Sequence, residues 1–386
     1  MRMGMRTIRV VVMLSVLLLL CAQADAQERS WTFDKVGRGS TSSIAVDAGQ
    51  SIHITYLREG KVYYALRPAG ASKWFSRMVI DSTHATSNIW PRVAADREGK
   101  PHICVSFGML MYVTLAEHKW VTQHVDPGSG TISYHCSIAV GSNGVPHVGW
   151  YHEFLPGGAQ YTHFRHGDVE NGAWVVRNVD GGIAGKWNSM AVDSKGLPHA
   201  SFTQLAKGGD LRYAEWDGNY WNITTVDSSE NAKSNRGYDN SLVLGPDDSP
   251  HISYMDGKTV KYAYQEKGKW VIQKVDVVAS GFDYYGGSTA IALDSSGNPH
   301  IVYGDLGAIK HAYWDGKKWR IETIVSGALQ QYKDVDATFG ANDTLYVSFP
   351  DPDDGFVKIG VGKLAPSTQV TKKESKDAND PKESKD

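Results

Sequence analysis

A short motif that ends in Pro-His recurs at regular intervals, and this repetition limits the possible folds more than any other feature of the chain. A degenerate first copy ends at His53, and in a seventh copy Tyr346 stands where the others have His. The copies are about 45 to 52 residues apart, which is the repeat length of propeller blades. The five clear copies are Asp96–His102, Gly141–His147, Asp193–His199, Gly245–His251 and Asp294–His300.

Each repeat contains the pattern of four short strands. Apolar runs precede and follow the motif, and an alternating segment such as Leu211–Trp216 comes next. Asp217 and Gly218 then supply a two-residue hairpin turn, because Asp and Gly tolerate the positive φ that this turn requires. Seven repeats of four antiparallel strands predict an all-β, seven-bladed β-propeller. The residues that begin the fourth strands are Trp74, Trp120, Trp174, Trp221, Trp270 and Trp319.

The seventh repeat lacks a fourth strand, since the chain becomes polar after Lys363. The segment Trp31–Val36 has the pattern of a fourth strand such as Trp270–Val275. We therefore expect the N-terminal segment to complete the last blade, which closes the ring and removes edge strands that favour aggregation. On this interpretation a single propeller spans residues 27–363.

The two ends of the chain are predicted to lie outside the propeller. A basic start, the apolar run Val10–Leu20 and the exit Ala24–Ala26 are typical of a secretory signal peptide, residues 1–26. The apolar run is short for a membrane span, so we expect a secreted or periplasmic protein without a span in its mature form. Residues 364–386 are predicted to be a disordered polar tail.

Composition excludes some functions and leaves the cysteines open. The formal charge of −2 argues against a generally basic nucleic-acid binder. Once the signal peptide is removed, Cys104 and Cys136 are the remaining cysteines. The favoured interpretation is two buried small apolar residues. A disulfide formed in an oxidising compartment is the next alternative, and a metal site is the least favoured.

The recurring His and Trp residues are interpreted as scaffold. One His per blade, spread around a ring, cannot converge on a single metal ion, and each is expected to satisfy backbone groups at a tight turn. The Trp residues are expected to pack between blades. No cofactor or catalytic metal is required by this pattern, and calcium or zinc enters only as a structural ion.

Positions that differ between repeats are the candidates for function. Strands alternate in direction, so the start of strand one and the end of strand two lie on the same face of the ring. We call the positions twelve before the recurrent His the first column and those five after it the second column. The first column is Thr41, Trp90, His135, Trp187, Asp239, Ser288 and Asp334. The second column is Arg58, Phe107, His152, Gln204, Asp256, Asp305 and Asp351.

This variation favours one composite site at the channel mouth over one site per blade. Tyr and Trp there suit stacking on sugar rings, which predicts a polysaccharide or cell-envelope glycan as partner. A solvated rim that drifted between blades is the alternative. The predicted substrate-binding residues are Arg58, Trp90, Trp187, Tyr238, Asp239, Asp256, Tyr284 and Asp305.

Blade three carries the strongest catalytic signal. His135 and His152 occupy both columns of this blade, and imidazole can transfer protons in either direction near neutral pH. Arg92 could neutralise a carboxylate, and Tyr134 or Tyr238 could supply or accept a proton. Together these groups match β-elimination from a uronic acid, in which a cation, a base and an acid cooperate.

Two other functions fit the residues. Asp239 and Asp256 in blade five could form the carboxylate pair of a glycoside hydrolase, or bind calcium through their oxygens. Alternatively, the propeller is a non-catalytic module that binds glycans or proteins. Loop Asp residues are also common turn formers.

The Asp-x-x-Gly-x-Pro-His repeats, followed by Tyr-Ala, Trp-Asp-Gly and Trp, resemble those of secreted bacterial propellers of the sialidase-like repeat superfamily. Sialidases themselves differ, with Trp after the Gly of their motif and six blades. Seven-bladed polysaccharide lyases of the ulvan lyase type are more similar. That resemblance implies two active-site His residues on the rim with Tyr and Arg nearby, here His135 and His152 with Tyr134 and Arg92.

Overall fold

The repeated motif, which ends in Pro-His in five of the blades, connects the first two strands of the blade, as the sequence predicts, and its Pro begins the second strand. The computed structural model describes residues 29–82, 89–126, 131–154, 161–205, 209–228, 236–279, 288–331 and 334–364. The predicted signal peptide, residues 365–386 of the predicted tail and Tyr284 lie outside these residues, whereas Leu364 belongs to the last strand. Within the described ranges, the structure contains no apolar helix of the length needed to span a bilayer.

The strands of each blade follow one another from the central channel outwards, and all are antiparallel. Blade one contains β2 (Ser40–Val46), β3 (Ile52–Arg58), β4 (Lys61–Arg67) and β5 (Phe75–Asp81). Blade two contains β6 (Arg92–Ala95), β7 (Pro101–Ser106), β8 (Leu110–Ala116) and β9 (Lys119–His124). Blade three contains β10 (Thr131–Val140), β11 (Pro146–Phe154), β12 (Tyr161–Glu170) and β13 (Ala173–Gly181).

The remaining blades repeat this order. Blade four contains β14 (Ala184–Val192), β15 (Pro198–Gln204), β16 (Asp210–Trp216) and β17 (Trp221–Asp227). Blade five contains β18 (Arg236–Leu244), β19 (Pro250–Asp256), β20 (Thr259–Glu266) and β21 (Lys269–Val277). Blade six contains β22 (Thr289–Leu293), β23 (Pro299–Trp314), which supplies both middle strands, and β24 (Trp319–Gln331).

Blade seven confirms that the N-terminal strand closes the ring. It contains β25 (Asp336–Phe339), β26 (Leu345–Asp351), β27 (Phe356–Leu364) and, as its outer strand, β1 (Arg29–Arg38). Strand β1 pairs with β27 from Arg29 opposite Leu364 to Arg38 opposite Phe356. Trp31 Nε1 also donates to Glu322 of blade six at 3.2 Å. The closing strand therefore joins the last two blades as well as completing one of them.

The recurring Trp residues pack between blades. Trp120 of blade two meets Tyr64 of blade one edge-on, with ring centroids 5.0 Å apart. Trp319 of blade six meets Tyr262 of blade five in the same way at 5.3 Å. Apolar strand residues fill the space beneath these contacts, so the core lies between the blades.

The recurring His residues are buried parts of the scaffold. In blade one, His53 Nδ1 contacts the Tyr64 hydroxyl at 2.8 Å, and His53 Nε2 contacts Asp47 at 3.1 Å. His102 repeats this arrangement in blade two. Burial lowers the pKa of both imidazoles, although the neighbouring carboxylates oppose the change. Each His thus ties its turn to the third strand.

A disulfide joins blades two and three. Cys104 in β7 and Cys136 in β10 are bonded, with Cα atoms 6.3 Å apart. The interpretation of these cysteines as two separate buried residues was therefore wrong. The pairing depends on a contact between two repeats, and the spacing within each repeat does not reveal it.

Candidate functional site

Six of the seven first-column residues, all except Thr41, line the central channel. In blades three, four and five these residues lie where the strand pairing breaks. Pairing in blade three breaks between Tyr134 and Ser137, and it breaks in blade five between Tyr238 and Ser241. A left-handed backbone costs roughly 1–2 kcal/mol for a residue other than glycine, and such strain is concentrated at functional sites. The first-column residues with positive φ are Thr41 (47°), His135 (48°), Trp187 (45°), Asp239 (47°) and Asp334 (63°).

Three of these bulges are each held by a side chain of the following blade. The Asn188 side-chain amide donates to the backbone carbonyl of His135, and the Asn240 amide donates to that of Trp187. Thr289 Oγ1 donates to the carbonyl of Asp239 at 2.6 Å. The first-column side chains are therefore held in place by bonds that run around the ring. Sequence reasoning missed these holding residues, although each directly follows a first-column position.

The innermost strands enclose a cavity of about 620 Å³. This volume lies within the usual range for small-molecule sites, about 300–1,000 Å³. Of the residues predicted from sequence, the cavity is lined by Trp90, Arg92, His135, Trp187 and Asp239. The sequence therefore predicted part of the lining correctly.

Three aromatic side chains from consecutive blades form one wall of the cavity. The His135 ring stacks on Trp90, with centroids 4.8 Å apart and planes 17° apart. On its other side, His135 lies 5.4 Å from Trp187 at 42°. Buried Tyr238 supports Trp187 from behind by stacking at 4.0 Å. We call Trp90, His135 and Trp187 the aromatic arc.

Carboxyl groups line another part of the cavity. Arg92 bonds Asp334 at 3.1 Å, and Asp334 also accepts the backbone N–H of Ser42 at 2.7 Å. Asp336 accepts the Ser43 hydroxyl at 2.9 Å and a backbone N–H at 3.0 Å. Burial opposes the charge of Arg92, yet Asp334 and Asp336 raise its pKa overall. We call Asp239, Asp334 and Asp336 the acidic cluster.

The Asp239 carboxyl differs from the other two in this cluster. Among the described residues, none donates a hydrogen bond to it or pairs with it as a cation within 4.0 Å. Burial, followed by the charge of Asp334, raises its pKa to about 8, and Arg92 only partly opposes the shift. Asp239 therefore holds a proton through much of the neutral range.

Asp239→Asn is expected to stabilise the protein at alkaline pH. The folded pKa of about 8 lies above the ordinary value of 3.8, so the stability associated with the bound proton is complete below pH 3.8 and is lost as pH rises towards 8. Since the side chain is partly solvated, we expect a gain of about 1–3 kcal/mol near pH 9 and little difference near pH 4. Thermal unfolding of both proteins at the two pH values measures this. An equal change at both would contradict the proposed cause.

His135 is a neutral aromatic group in this site. Burial, together with the positive charges of Lys186 and Arg92, lowers its pKa to about 3. At neutral pH the ring accordingly carries no charge, and such a low pKa makes it a weak base. Its position between two Trp rings, stacked on Trp90 and tilted against Trp187, is the more prominent feature.

The second column lies one strand further from the axis, and His152 does not face His135. The bulge shifts the register so that His152 pairs with Ser133. Its side chain is 1% exposed and lies 3.6 Å from Asp126. Burial and the charge of Arg165 lower its pKa to about 4. The expectation that the two imidazoles meet at one opening is therefore not met.

The acids of the second column belong to ion pairs. Asp256 lies 2.6 Å from Lys261, and Asp305 lies 2.8 Å from Lys310. Each lysine also contacts an acid of the preceding blade. Lys261, for example, bonds Asp227 at 2.9 Å. These contacts join neighbouring blades. Asp256 and Asp305 accordingly occupy scaffold positions in this structure.

The other predicted residues lie at the rim. Arg58 is near its neighbour Glu59 and over the ring of Tyr63, 5.9 Å from the centroid. Tyr134 pairs with Tyr151 across blade three, with ring centroids 6.3 Å apart. Burial and the charge of Glu153 raise the pKa of Tyr134. Neither Arg58 nor Tyr134 lines the cavity.

One group of side chains in blade three has the composition of a metal site. His147 Nδ1 lies 3.1 Å from His166 Nε2 and 4.0 Å from Asp168. Metal-bound imidazoles usually donate their other N–H to an acceptor, but His147 Nε2 and His166 Nδ1 have no partner among the described residues. Arg177, which bonds Asp168 at 2.7 Å, adds a positive charge. We assign no ion to this group.

Comparison with known proteins gives structural matches alone. No protein-family model matches the chain, and the curated proteins contain no match. The lectin BP39L from Burkholderia pseudomallei has 11% identity and a TM-score of 0.59, covering 84% of this chain and 95% of the lectin. The polysaccharide lyase Uly1 has 10% identity and a TM-score of 0.54, with 90% and 94% covered. An ulvan lyase has 12% identity and a TM-score of 0.46, with 74% and 78% covered. The solved structures that share this β-propeller fold thus include a lectin and a polysaccharide lyase.

Proposed function

We propose that the protein binds a glycan in its central channel, with a sugar ring stacked on the aromatic arc. The observation that carries this proposal is the row of adjoining rings of Trp90, His135 and Trp187, held on three consecutive blades along one wall of the cavity. Aromatic faces suit the C–H surface of a sugar, and nearby carboxyl groups suit its hydroxyls. Two of the three arc residues, His135 and Trp187, lie at bulges where the backbone is left-handed. This backbone conformation disfavours bulky side chains.

Two further observations support this proposal. A lectin and a polysaccharide lyase have the same fold, which is an analogy at the level of fold. The disulfide between Cys104 and Cys136 is typical of an oxidising compartment, where extracellular glycans are found. It agrees with the predicted secretory signal.

The geometry favours binding over catalysis. Elimination needs a base, an acid and a free cation at one place. His152 lies away from the cavity, and Arg92 is already bonded to Asp334. A hydrolytic pair of Asp239 and Asp256 is not assembled either, because Asp256 is bonded to Lys261. We therefore expect no unsaturated products from uronate polymers and no new reducing ends from neutral ones.

Replacing the Trp residues of the arc is expected to weaken glycan binding. Trp90→Ala and Trp187→Ala each remove one stacking face, which corresponds to a loss of about tenfold or more in affinity. Titration calorimetry with neutral, acidic and basic oligosaccharides measures the effect. Trp216→Ala is the matched control, since Trp216 lies on an outer turn against Trp221 and does not line the cavity.

Two results are required for glycan binding at the aromatic arc. The natural protein must bind at least one oligosaccharide of the panel. In addition, the two arc variants must lose affinity while the Trp216 variant retains it. Equal losses in all three variants would place the binding site elsewhere.

A further inference from the structure

We infer that the ligand of the channel is an amino sugar with a free, protonated amine, which pairs with the carboxylate of Asp239 while the sugar ring stacks on the aromatic arc. This inference rests on the proposed function, and it names the class of sugar. It follows from the position of Asp239, from its lack of a partner within the described part of the chain and from the charges around it.

Asp239 adjoins one end of the aromatic arc. It occupies the first column of blade five, next to Trp187 in blade four. Its chain neighbour Tyr238 stacks on Trp187 at 4.0 Å, and its other neighbour, Asn240, bonds the Trp187 carbonyl. The contacts on both sides of Asp239 therefore fix it relative to Trp187. A sugar stacked on Trp187 would bring a ring substituent towards this carboxyl group.

Asp239 is the member of the acidic cluster that has no hydrogen-bond or ion-pair partner among the described residues. Asp334 is bonded to Arg92, and Asp336 accepts the Ser43 hydroxyl. By contrast, none of the described residues donates to the Asp239 carboxyl. A half-buried carboxylate is costly unless it is paired.

Elsewhere in the same blades, the protein pairs such carboxylates with lysine. Asp256 of blade five has Lys261 at 2.6 Å, and Asp305 of blade six has Lys310 at 2.8 Å. Asp239 departs from this pattern at the place where a ligand can enter. A cationic group of the ligand would complete the pair that the protein leaves open.

The surrounding charges select a basic sugar over an acidic one. The cavity lining contains three carboxyl groups and the single guanidinium of Arg92, which Asp334 already binds. A uronate would therefore bring a further acidic group beside Asp334 and Asp336, and Asp239 would offer it no positive charge. An N-acetylated sugar could stack on the arc, but it would gain no ion pair.

Protonation of Asp239 agrees with this inference. Burial and the charge of Asp334 raise the pKa of Asp239 to about 8, and Arg92 lowers it only partly. A carboxyl group with a cation beside it would have a lower pKa. A bound ammonium would take the place of the proton, so binding should release a proton. Affinity for the amine should consequently rise as pH increases towards 8, until the amine loses its own proton.

The test uses the full chain and three probes of equal length. These are a glucosamine oligomer, its fully N-acetylated form and an oligogalacturonate. Titration calorimetry is expected to show the glucosamine oligomer binding at least about tenfold more tightly than the N-acetylated form, an advantage that added salt reduces. Asp239→Asn should remove this advantage while affinity for the N-acetylated oligomer stays the same.

Asp34→Asn is the control for a change in overall charge. Asp34 is half exposed on β1 and pairs with Arg67 at the surface, where an ion pair contributes little. This variant should keep the preference for the amine. If it lost the preference to the same extent as Asp239→Asn, the specific role of Asp239 would be overturned.

The outcomes separate the two proposals. Equal affinity of the natural protein for all three probes, or tighter binding of the oligogalacturonate, would overturn the amino-sugar inference and leave glycan binding intact. Retention of the preference in Asp239→Asn would also overturn it. No binding of any oligosaccharide, including those of the wider panel, would overturn the proposed function itself.

Discussion

Deletion of β1, residues 29–38, is expected to destroy cooperative folding of the propeller. Strand β1 supplies the outer strand of blade seven and bonds blade six through Trp31. Its loss would leave β27 as an open edge and expose the apolar residues that it covers. We expect a destabilisation of about 5 kcal/mol or more, which is comparable to the whole stability of many proteins. Urea unfolding followed by Trp fluorescence measures it.

A relocated strand provides the control for this deletion. Arg29 lies opposite Leu364 in the register of β1 and β27. The same ten residues can therefore follow Leu364 through a hairpin loop of about four residues. This rearranged chain should regain a cooperative transition, because blade seven is again complete. If the deleted chain unfolded at the urea concentration of the natural protein, ring closure would not be the source of stability.

Loss of the disulfide is expected to have the next largest effect. The bond between Cys104 and Cys136 spans 32 residues and joins two blades. By constraining a loop of this length in the unfolded chain, the disulfide is expected to stabilise the folded state by about 3–4 kcal/mol. For a domain of this size, loss of that stabilisation lowers the Tm by roughly 4–6 °C. Thermal unfolding with and without a reductant measures the change.

The cysteine variants supply the control. Cys104→Ala, Cys136→Ala and the double variant should all show the lower Tm, and a reductant should not change the Tm of any of them. A reductant that left the Tm of the natural protein unchanged would contradict a stabilising disulfide. Since Cys136 directly follows His135, we also expect loss of the bond to weaken glycan binding along with stability.

The sequence assigned the recurring His and Trp residues to the scaffold, and the structure places them there. The expected backbone partners of the His residues were wrong, because His53 and His102 contact Tyr and Asp side chains instead. The recurring His and Trp residues occupy equivalent positions in successive blades, as His53 and His102 illustrate with the same pair of contacts. The closing role of the N-terminal strand was predicted from its likeness to other fourth strands. Such features depend on local spacing, and repetition makes local spacing visible.

The candidate site was predicted only in part. Six of the seven first-column residues line the channel, and the sequence identified Trp90, His135 and Trp187 among them. The second column does not, because a bulge shifts the register and because its residues lie one strand further out. His152 was therefore assigned to the wrong surroundings. No periodicity in the sequence shows where a strand takes up an extra residue.

The sequence by itself determined the all-β fold, the number of blades and the strand that closes the ring, since each follows from a repeated pattern of turns and apolar residues. Tertiary structure decided which side chains meet. In the folded chain, Cys104 is bonded to Cys136, and the rings of Trp90, His135 and Trp187 adjoin one another. Asp239 has no partner among the described residues. These outcomes depend on contacts between blades and on the charges that burial brings together, and neither is encoded within a single repeat.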